Sequence, residues 1–349
     1  MPPTSMIARA AGLALLGAIA WSATPLTAQH APALLTQFLR ESIGLDSAQR
    51  AAIERGEVVV KVLDTRDQRD VAVFAIITAA VSRDDYVAQV RDFRRWLGAP
   101  TRTRFGLFSD PAVAADVDAV TIDSRDVTDL KDCRPGDCKI KLPAIEMRRI
   151  QEAIDWKAAD VQEQVGAYAR QRLLDYVTAY RASGDSALVV YDDRGNVHAG
   201  EAFAALLRES PYLYAYAPTL HHYLASYPAD TLPGLTEVLY WSEDQLPRLR
   251  PILSVKHLVL YTPPELAGAT IVAEKQIYAN HYFEAAFELL TVVDHAPGVY
   301  LVLLRRFRFD NLPSGGLVNL RGRVIGKLRD QARADLEREQ TRAEHASGR

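Results

Sequence analysis

The chain has 349 residues, 48% hydrophobic and 24% charged, ordinary globular proportions that allow one large core or two domains. Its net charge of −3 removes the electrostatic case for nucleic acid as a partner. Nucleophile elbow, P-loop, dinucleotide glycine fingerprint and His-Glu-x-x-His are all absent, so the sequence announces no reaction, and no cofactor or metal site is expected.

Residues 1–28 carry Arg9 ahead of the apolar run Ala10–Trp21, too short for a bilayer span and suited to a secretory signal peptide. Cleavage is placed after Ala28, with a retained N-terminal anchor as the competing reading. No later segment approaches a membrane span, so the mature protein is expected to be soluble and exported, periplasmic or secreted. Cys133 and Cys138 flank Pro135-Gly136, a pair that favours a type II turn and brings the two thiols within disulfide reach. An oxidising compartment suits that disulfide.

Ala33 to Glu57 reads as one or two short helices, the second capped at Asp46-Ser47. Val58–Leu63 and Val71–Val81 form a hairpin, and Ser82 caps a helix that runs through Trp96. Thr103–Phe108 and Val117–Ile122 are short strand candidates. Asp123, Asp126, Asp129 and Asp132 lack the alternate-residue spacing of a calcium loop and read as a solvated acidic loop. Pro143 to Ser183 is helical with a break near Trp156, stopped by Gly184. Ala187–Tyr191 is a short strand, Glu201–Arg208 and Tyr212–Tyr227 are helical, and Leu235–Trp241 is a strand or irregular.

Four alternating runs follow: Leu253–Tyr261, Thr270–Asn280, Phe283 onward, and Gly298–Phe309. Their short linkers favour an antiparallel meander. Glu274, Gln276, Tyr278 and Asn280 share one face of the second run; Phe283, Ala285, Phe287 and Leu289 share one face of the third. Pro313–Gly316 breaks the pattern, and Leu317, Leu320, Val324, Leu328, Ala332 and Leu336 then make the apolar stripe of a long helix. The fold class expected is α+β: an antiparallel sheet gripped on its inner face by that helix, with a helical insertion. The divisions are a signal peptide at 1–28, helices and the first part of the sheet at 29–142, and the insertion at 143–234. The meander and C-terminal helix occupy 235–340, and a disordered tail 341–349.

The order Val71–Trp96, then Lys256–Glu339, with Asp310-Asn311-Leu312-Pro313 leading into a basic helix, resembles the START-like helix-grip superfamily. The resemblance implies a sheet–helix cavity for lipids, sterols or other apolar molecules. The stretches Cys133–Cys138 and Lys275–Phe283 are also similar to a group of secreted bacterial proteins of unknown function.

The leading expectation is thus a non-enzymatic binder of an apolar or amphipathic small molecule. Phe283, Phe287, Leu289 and Leu301 would line its cavity, and Tyr278, His281 and Arg305 would orient a polar end. One alternative is an exported hydrolase using His281 as general base; another is a structural or protein-interaction module whose contact surface is the helical block. His257, set between Val255 and Val259, reads as a satisfied sheet histidine, and Tyr212, Tyr214, Tyr216, Tyr223 and Tyr227 as an aromatic lining or core. Arg321, Arg323, Lys327, Arg329 and Arg333 on the last helix would face either an anionic membrane surface or plain solvent.

Overall fold

The segment Asp70–Ala79 is apolar at both parities, and a strand of that kind needs cover on both faces. The structure, a computed structural model, describes residues 29–98, 102–245, 249–311 and 320–346, and it supplies that cover. The expected signal peptide, the Pro313–Gly316 break, Leu317, the Tyr214 side chain and residues 347–349 lie outside what it describes.

The chain opens with β1 (Gln29–His30), α1 (Ala31–Glu41) and α2 (Ser47–Glu54), then β2 (Val59–Leu63) and β3 (Asp70–Ala79). Next come α3 (Arg83–Arg91), α4 (Phe93–Trp96) and β4 (Arg102–Leu107). A mostly helical stretch follows: α5 (Ser124–Leu130), α6 (Ala144–Ala153), α7 (Val161–Ser183), β5 (Val190–Tyr191), β6 (Val197–His198), α8 (Ala199–Arg208), α9 (Pro211–Tyr216) and α10 (Pro218–Ser226). The chain then returns to strand with β7 (Thr236–Asp244), β8 (Ile252–Tyr261), β9 (Leu266–Ala267), β10 (Ala269–Ala279), β11 (Phe283–His295) and β12 (Gly298–Phe309), and closes with α11 (Leu320–Ala346).

Among the described residues eight strands form one antiparallel sheet in the order β2-β3-β12-β11-β10-β8-β7-β4. Strands β4 and β7 are partners at its edge, so everything from α5 to α10 is inserted between two neighbouring strands. The meander is therefore as expected from the alternation, and β3 joins its last strand, β12, in unbroken register.

One face of the sheet packs Val73, Ile77, Leu258, Val292 and Leu301 against Tyr86 and Val90 of α3 and Leu328, Ala332 and Leu336 of α11. The other packs Phe74, Ile76, Val259, Phe287 and Leu304 against Phe38 of α1, Phe203 of α8 and Leu220 of α10. A single covering helix was the expectation; the insertion is the second cover, which is why β3 tolerates no polar face.

Local chemistry explains the ends. Asp46 accepts the Gln49 amide at 2.8 Å while the Gln49 side chain accepts the Asp46 amide at 3.0 Å, a reciprocal cap that starts α2. The helix expected through Trp96 is instead two, because Asp92 leaves helical geometry and its carboxylate caps Arg95. The Pro135-Gly136 turn forms with Gly136 at φ 83°, and Cys133 and Cys138 lie at disulfide-bonding distance with Cα atoms 4.6 Å apart.

Two further expectations are corrected. Val117–Ile122 is not a strand: a 3-10 turn at Ala114–Val117 leads into irregular chain, with Val117 and Val120 buried among the residues of α7. Their spacing of three serves a turn, not a pleat. Nor do residues 341–346 fray. Ala343 is buried, the Glu344 carboxylate accepts the Ala80 amide at 2.8 Å, and Arg342 donates to the Trp96 carbonyl at 2.9 Å. The end of β3 and the turn after α4 need those partners, so the helix persists to supply them.

The basic face of α11 is partly engaged with the protein. Arg321 donates to the carbonyls of Gln68 and Asp70, Arg333 to that of Val58, and Arg329 pairs with Asp330.

Gly184 ends α7 at φ 55°, where a Cβ would stand 1.7 Å from the Tyr227 carbonyl oxygen. Gly184→Ala is expected to destabilise the protein by at least about 1–3 kcal/mol from backbone strain alone, before the clash is added. Chemical denaturation of the variant checks this; a midpoint unchanged from the parent would refute it.

Candidate functional site

The concave side of the sheet facing α11 is apolar at its edges and charged in the middle. Along β10, Glu274 and Gln276 alternate onto this face. Register places Lys256 of β8 opposite Gln276, Glu288 of β11 opposite Glu274, and Arg305 of β12 opposite Glu288. Asp335 reaches down from α11 to meet Arg305.

These groups form two linked ion-pair clusters. Lys256 Nζ lies 3.3 Å from Glu274 and 3.5 Å from Asp244, with its charge 5.7 Å from the centre of the Tyr240 ring. The Tyr240 hydroxyl donates to Glu274. Arg305 bridges Glu288 and Asp335. Two carboxylates directly opposite each other on neighbouring strands repel, so the Glu274–Glu288 pair is a local cost to the sheet. Burial pushes the Glu288 carboxyl above its ordinary range; Arg305 opposes the rise and Glu274 reinforces it. Burial alone would weaken the Arg305 guanidinium's hold on its proton, but Glu288 and Asp335 more than compensate and keep it charged.

Between this floor and α11 lies a cavity of about 890 Å³, within the range of small-molecule sites. Its apolar walls include Trp96, Phe283, Leu290, Leu303, Leu328 and Leu336. Gln276 is 7% exposed and lines the cavity, and among the described residues its amide has no hydrogen-bond partner.

The residues expected to line one site are divided by two bulges. A register shift between Gln276 and Tyr278 turns Tyr278 away from Glu274 and Gln276. Its ring packs beside Tyr176 and Tyr191, and its hydroxyl donates to the Lys141 carbonyl at 3.3 Å. A second shift between Phe283 and Ala285 separates Phe283 from Phe287 and Leu289. Phe283 and Arg305 line the cavity. Phe287 borders it but sets its ring against Phe203 on the opposite face, 5.7 Å between centroids. Leu289 lines a small apolar cleft of about 70 Å³ on that opposite face, with Phe38, Tyr212 and Tyr216. Leu301 is core beneath α3 and α11 and does not line the cavity.

His281 is outside the cavity as well. Its Nε2 meets Asp126 at 2.9 Å, and the residue is 3% exposed. Asp126 also accepts from Arg250 at 2.7 Å and from Asn280 at 3.3 Å. The acidic stretch expected to be a solvated loop is therefore α5, capped by Asp123, with Asp126 turned into the protein. A helical stretch puts every third or fourth residue on one face, and that face here is buried. This cluster pins the β10–β11 corner, where Tyr282 sits at φ 63°. His257 bonds Glu237 at 2.7 Å and Tyr180 at 3.1 Å, as a satisfied sheet histidine should. Its neighbour across the strands, Lys275, pairs with Asp185 over the Phe203 ring.

Alternation put Glu274 and Gln276 on one strand face, but Lys256, Glu274, Gln276, Glu288 and Asp335 were not among the residues assigned to a binding site. A signal existed: Glu274, Gln276 and Glu288 are polar residues in the middle of strands whose other positions are apolar. Among the described residues no group of His, Cys, Asp and Glu has metal-holding geometry, and no helix is long and apolar enough to cross a membrane. Comparison with known proteins finds no family model, no curated protein and no solved structure that matches this chain.

Proposed function

We propose that this protein is an exported binder of an amphipathic small molecule, held in the cavity between the sheet and α11. The observation that carries the reading is the cavity itself, about 890 Å³ with apolar walls and a charged floor on one surface. An apolar wall gives a chain or ring system its burial, and fixed polar groups orient the other end. The floor argues for an amphipathic ligand over a wholly apolar one. A hydrocarbon alone would strip water from Lys256 and Glu274 without replacing it. The resemblance to START-like helix-grip proteins belongs to this proposal. Export is supported by the pattern of residues 1–28 and by the Cys133–Cys138 pair.

The hydrolase alternative draws no support from His281, which is buried on Asp126 away from the cavity. An interaction surface would need a contiguous apolar patch, whereas the large apolar residues exposed among those described are scattered: Val113, Ile145, Leu249 and Leu320.

Native mass spectrometry of the full chain, expressed with residues 1–28 and recovered after export, is the test. The expected result is a polypeptide lacking residues 1–28, with an additional non-covalent mass that organic extraction removes. Ala334→Trp, which projects an indole into the cavity from α11, should exclude that mass while leaving a folded protein. A clean ligand-free mass that persists after incubation with a mixed lipid extract would refute the reading.

A further inference from the structure

We propose that the polar end of this cavity receives an organic ammonium group, with the Gln276 amide oxygen accepting one of its N–H bonds. The inference rests on the cavity being a binding site and deepens that reading to a ligand class.

Three observations converge on it. The first is charge. On the sheet floor Asp244, Glu274 and Glu288 face Lys256 and Arg305, three carboxylates against two cations, and the rest of the lining adds Asp335, Glu337 and Glu339 against Arg95, Arg338 and Arg342. Both floor cations are already bracketed by carboxylates, so neither presents an open positive site to an anion. Nearer the C-terminal end of α11, Arg338 shares Asp335 with Arg305, and Arg342 pairs with Glu339. A ligand cation completes this floor, and a ligand anion must enter against it.

The second is the orphan amide. Gln276 sits beside the first of these clusters, opposite Lys256 and two residues from Glu274. The Gln276 amide opens onto the cavity, so a ligand that bonds it takes the place of water there. An ammonium group offers several N–H donors, enough to serve the Gln276 oxygen and a carboxylate together.

The third is the opposition of Glu274 and Glu288 across the strands. Burial raises the Glu288 carboxyl and Glu274 adds to the rise, and a positive charge that settles beside the pair relieves the repulsion between them. The apolar walls would take the hydrocarbon attached to the nitrogen.

The test uses three probes of one chain length, decylammonium, decanoate and decan-1-ol, titrated below their micelle concentrations into the ligand-stripped full chain by calorimetry. Decylammonium is expected to bind roughly tenfold or more tightly than either of the others. Glu274→Gln and Glu288→Gln should each lower affinity for decylammonium several-fold and leave decan-1-ol unchanged. Asp335→Asn, placed on the helix instead of the sheet, provides the same comparison if a sheet variant fails to fold, and thermal unfolding of each variant identifies that case. Decanoate or decan-1-ol binding as tightly as decylammonium would overturn the ammonium assignment and leave the cavity reading standing. Failure of all three probes to bind the folded protein would overturn both.

Discussion

Asp126→Ala is expected to destabilise the protein by about 3–5 kcal/mol, the cost of removing one member of a buried charged cluster. Asp126 is 2% exposed and lies in the first turn of α5, where the helix dipole favours a negative charge. Its carboxylate ties α5 to two segments distant in sequence: Arg250 before β8, and the adjacent Asn280 and His281 after β10. Asn280 in turn accepts the Leu253 amide at 2.8 Å, so the effect extends into the sheet. Alanine strands the His281 ring N–H and the Asn280 amide in a dry environment, while Arg250 retains Asp129. Asp126→Asn keeps the shape and some bonds, and about 1.5–3 kcal/mol should be lost instead. Urea unfolding measures both. A loss below about 1 kcal/mol for alanine would show that water, not burial, governs the cluster. Because Asp126 is outside the cavity, ligand affinity of the folded variant should be unchanged.

The second large effect is an asymmetry. Lys275 is 1% exposed, pairs with Asp185, and has its ammonium 4.0 Å from the centre of the Phe203 ring. Asp185 keeps 29% of its side-chain surface in contact with solvent. Asp185→Ala leaves an unpaired buried cation and is expected to cost about 3–5 kcal/mol, whereas Lys275→Met leaves a carboxylate that water can reach and should be close to neutral. The double variant should therefore be more stable than Asp185→Ala alone.

Acidity adds a signature. Burial depresses the Lys275 ammonium below the ordinary lysine range, and Asp185 opposes that fall. A lysine with a depressed native pKa binds fewer protons folded than unfolded, so stability rises with pH until the unfolded value near about 10 is passed. Removing Asp185 deepens the depression. The deficit of Asp185→Ala should thus shrink as pH is raised from neutrality toward about 10, and one that grows with pH would contradict the assignment. Denaturant titrations at several pH values measure this.

The backbone plan was largely legible in the residues. Alternation marked Leu253–Tyr261, Thr270–Asn280, the run from Phe283 and Gly298–Phe309 with short linkers, and these correspond to β8, β10, β11 and β12, which lie in one antiparallel sheet. Caps and stops were legible too: Asp46 before α2, Ser82 before α3 and Gly184 after α7. Each is a local effect of one side chain, or of its absence, on its own backbone. The candidate site was legible only in part, through Phe283 and Arg305. The bulges at Gln276/Tyr278 and Phe283/Ala285 reverse side-chain parity after them. One extra residue redirects everything beyond it to the other face of the sheet.

By itself, then, the sequence determined the α+β class, the antiparallel meander, the long closing helix and the disulfide-spaced turn at Cys133–Cys138, because periodicity, capping and turn chemistry act over a few residues. Only the tertiary structure decided which face each strand residue occupies, that the insertion covers the second side of the sheet, and that Asp126 is buried. It alone brought Lys256, Glu274, Gln276, Glu288, Arg305 and Asp335 around one cavity. Those outcomes depend on cross-strand register and on contacts between segments far apart in sequence, such as Arg69 with Glu284, 215 residues apart, and Arg333 with Val58, 275 apart. Such pairings form only when the whole sheet closes, and no local pattern records them.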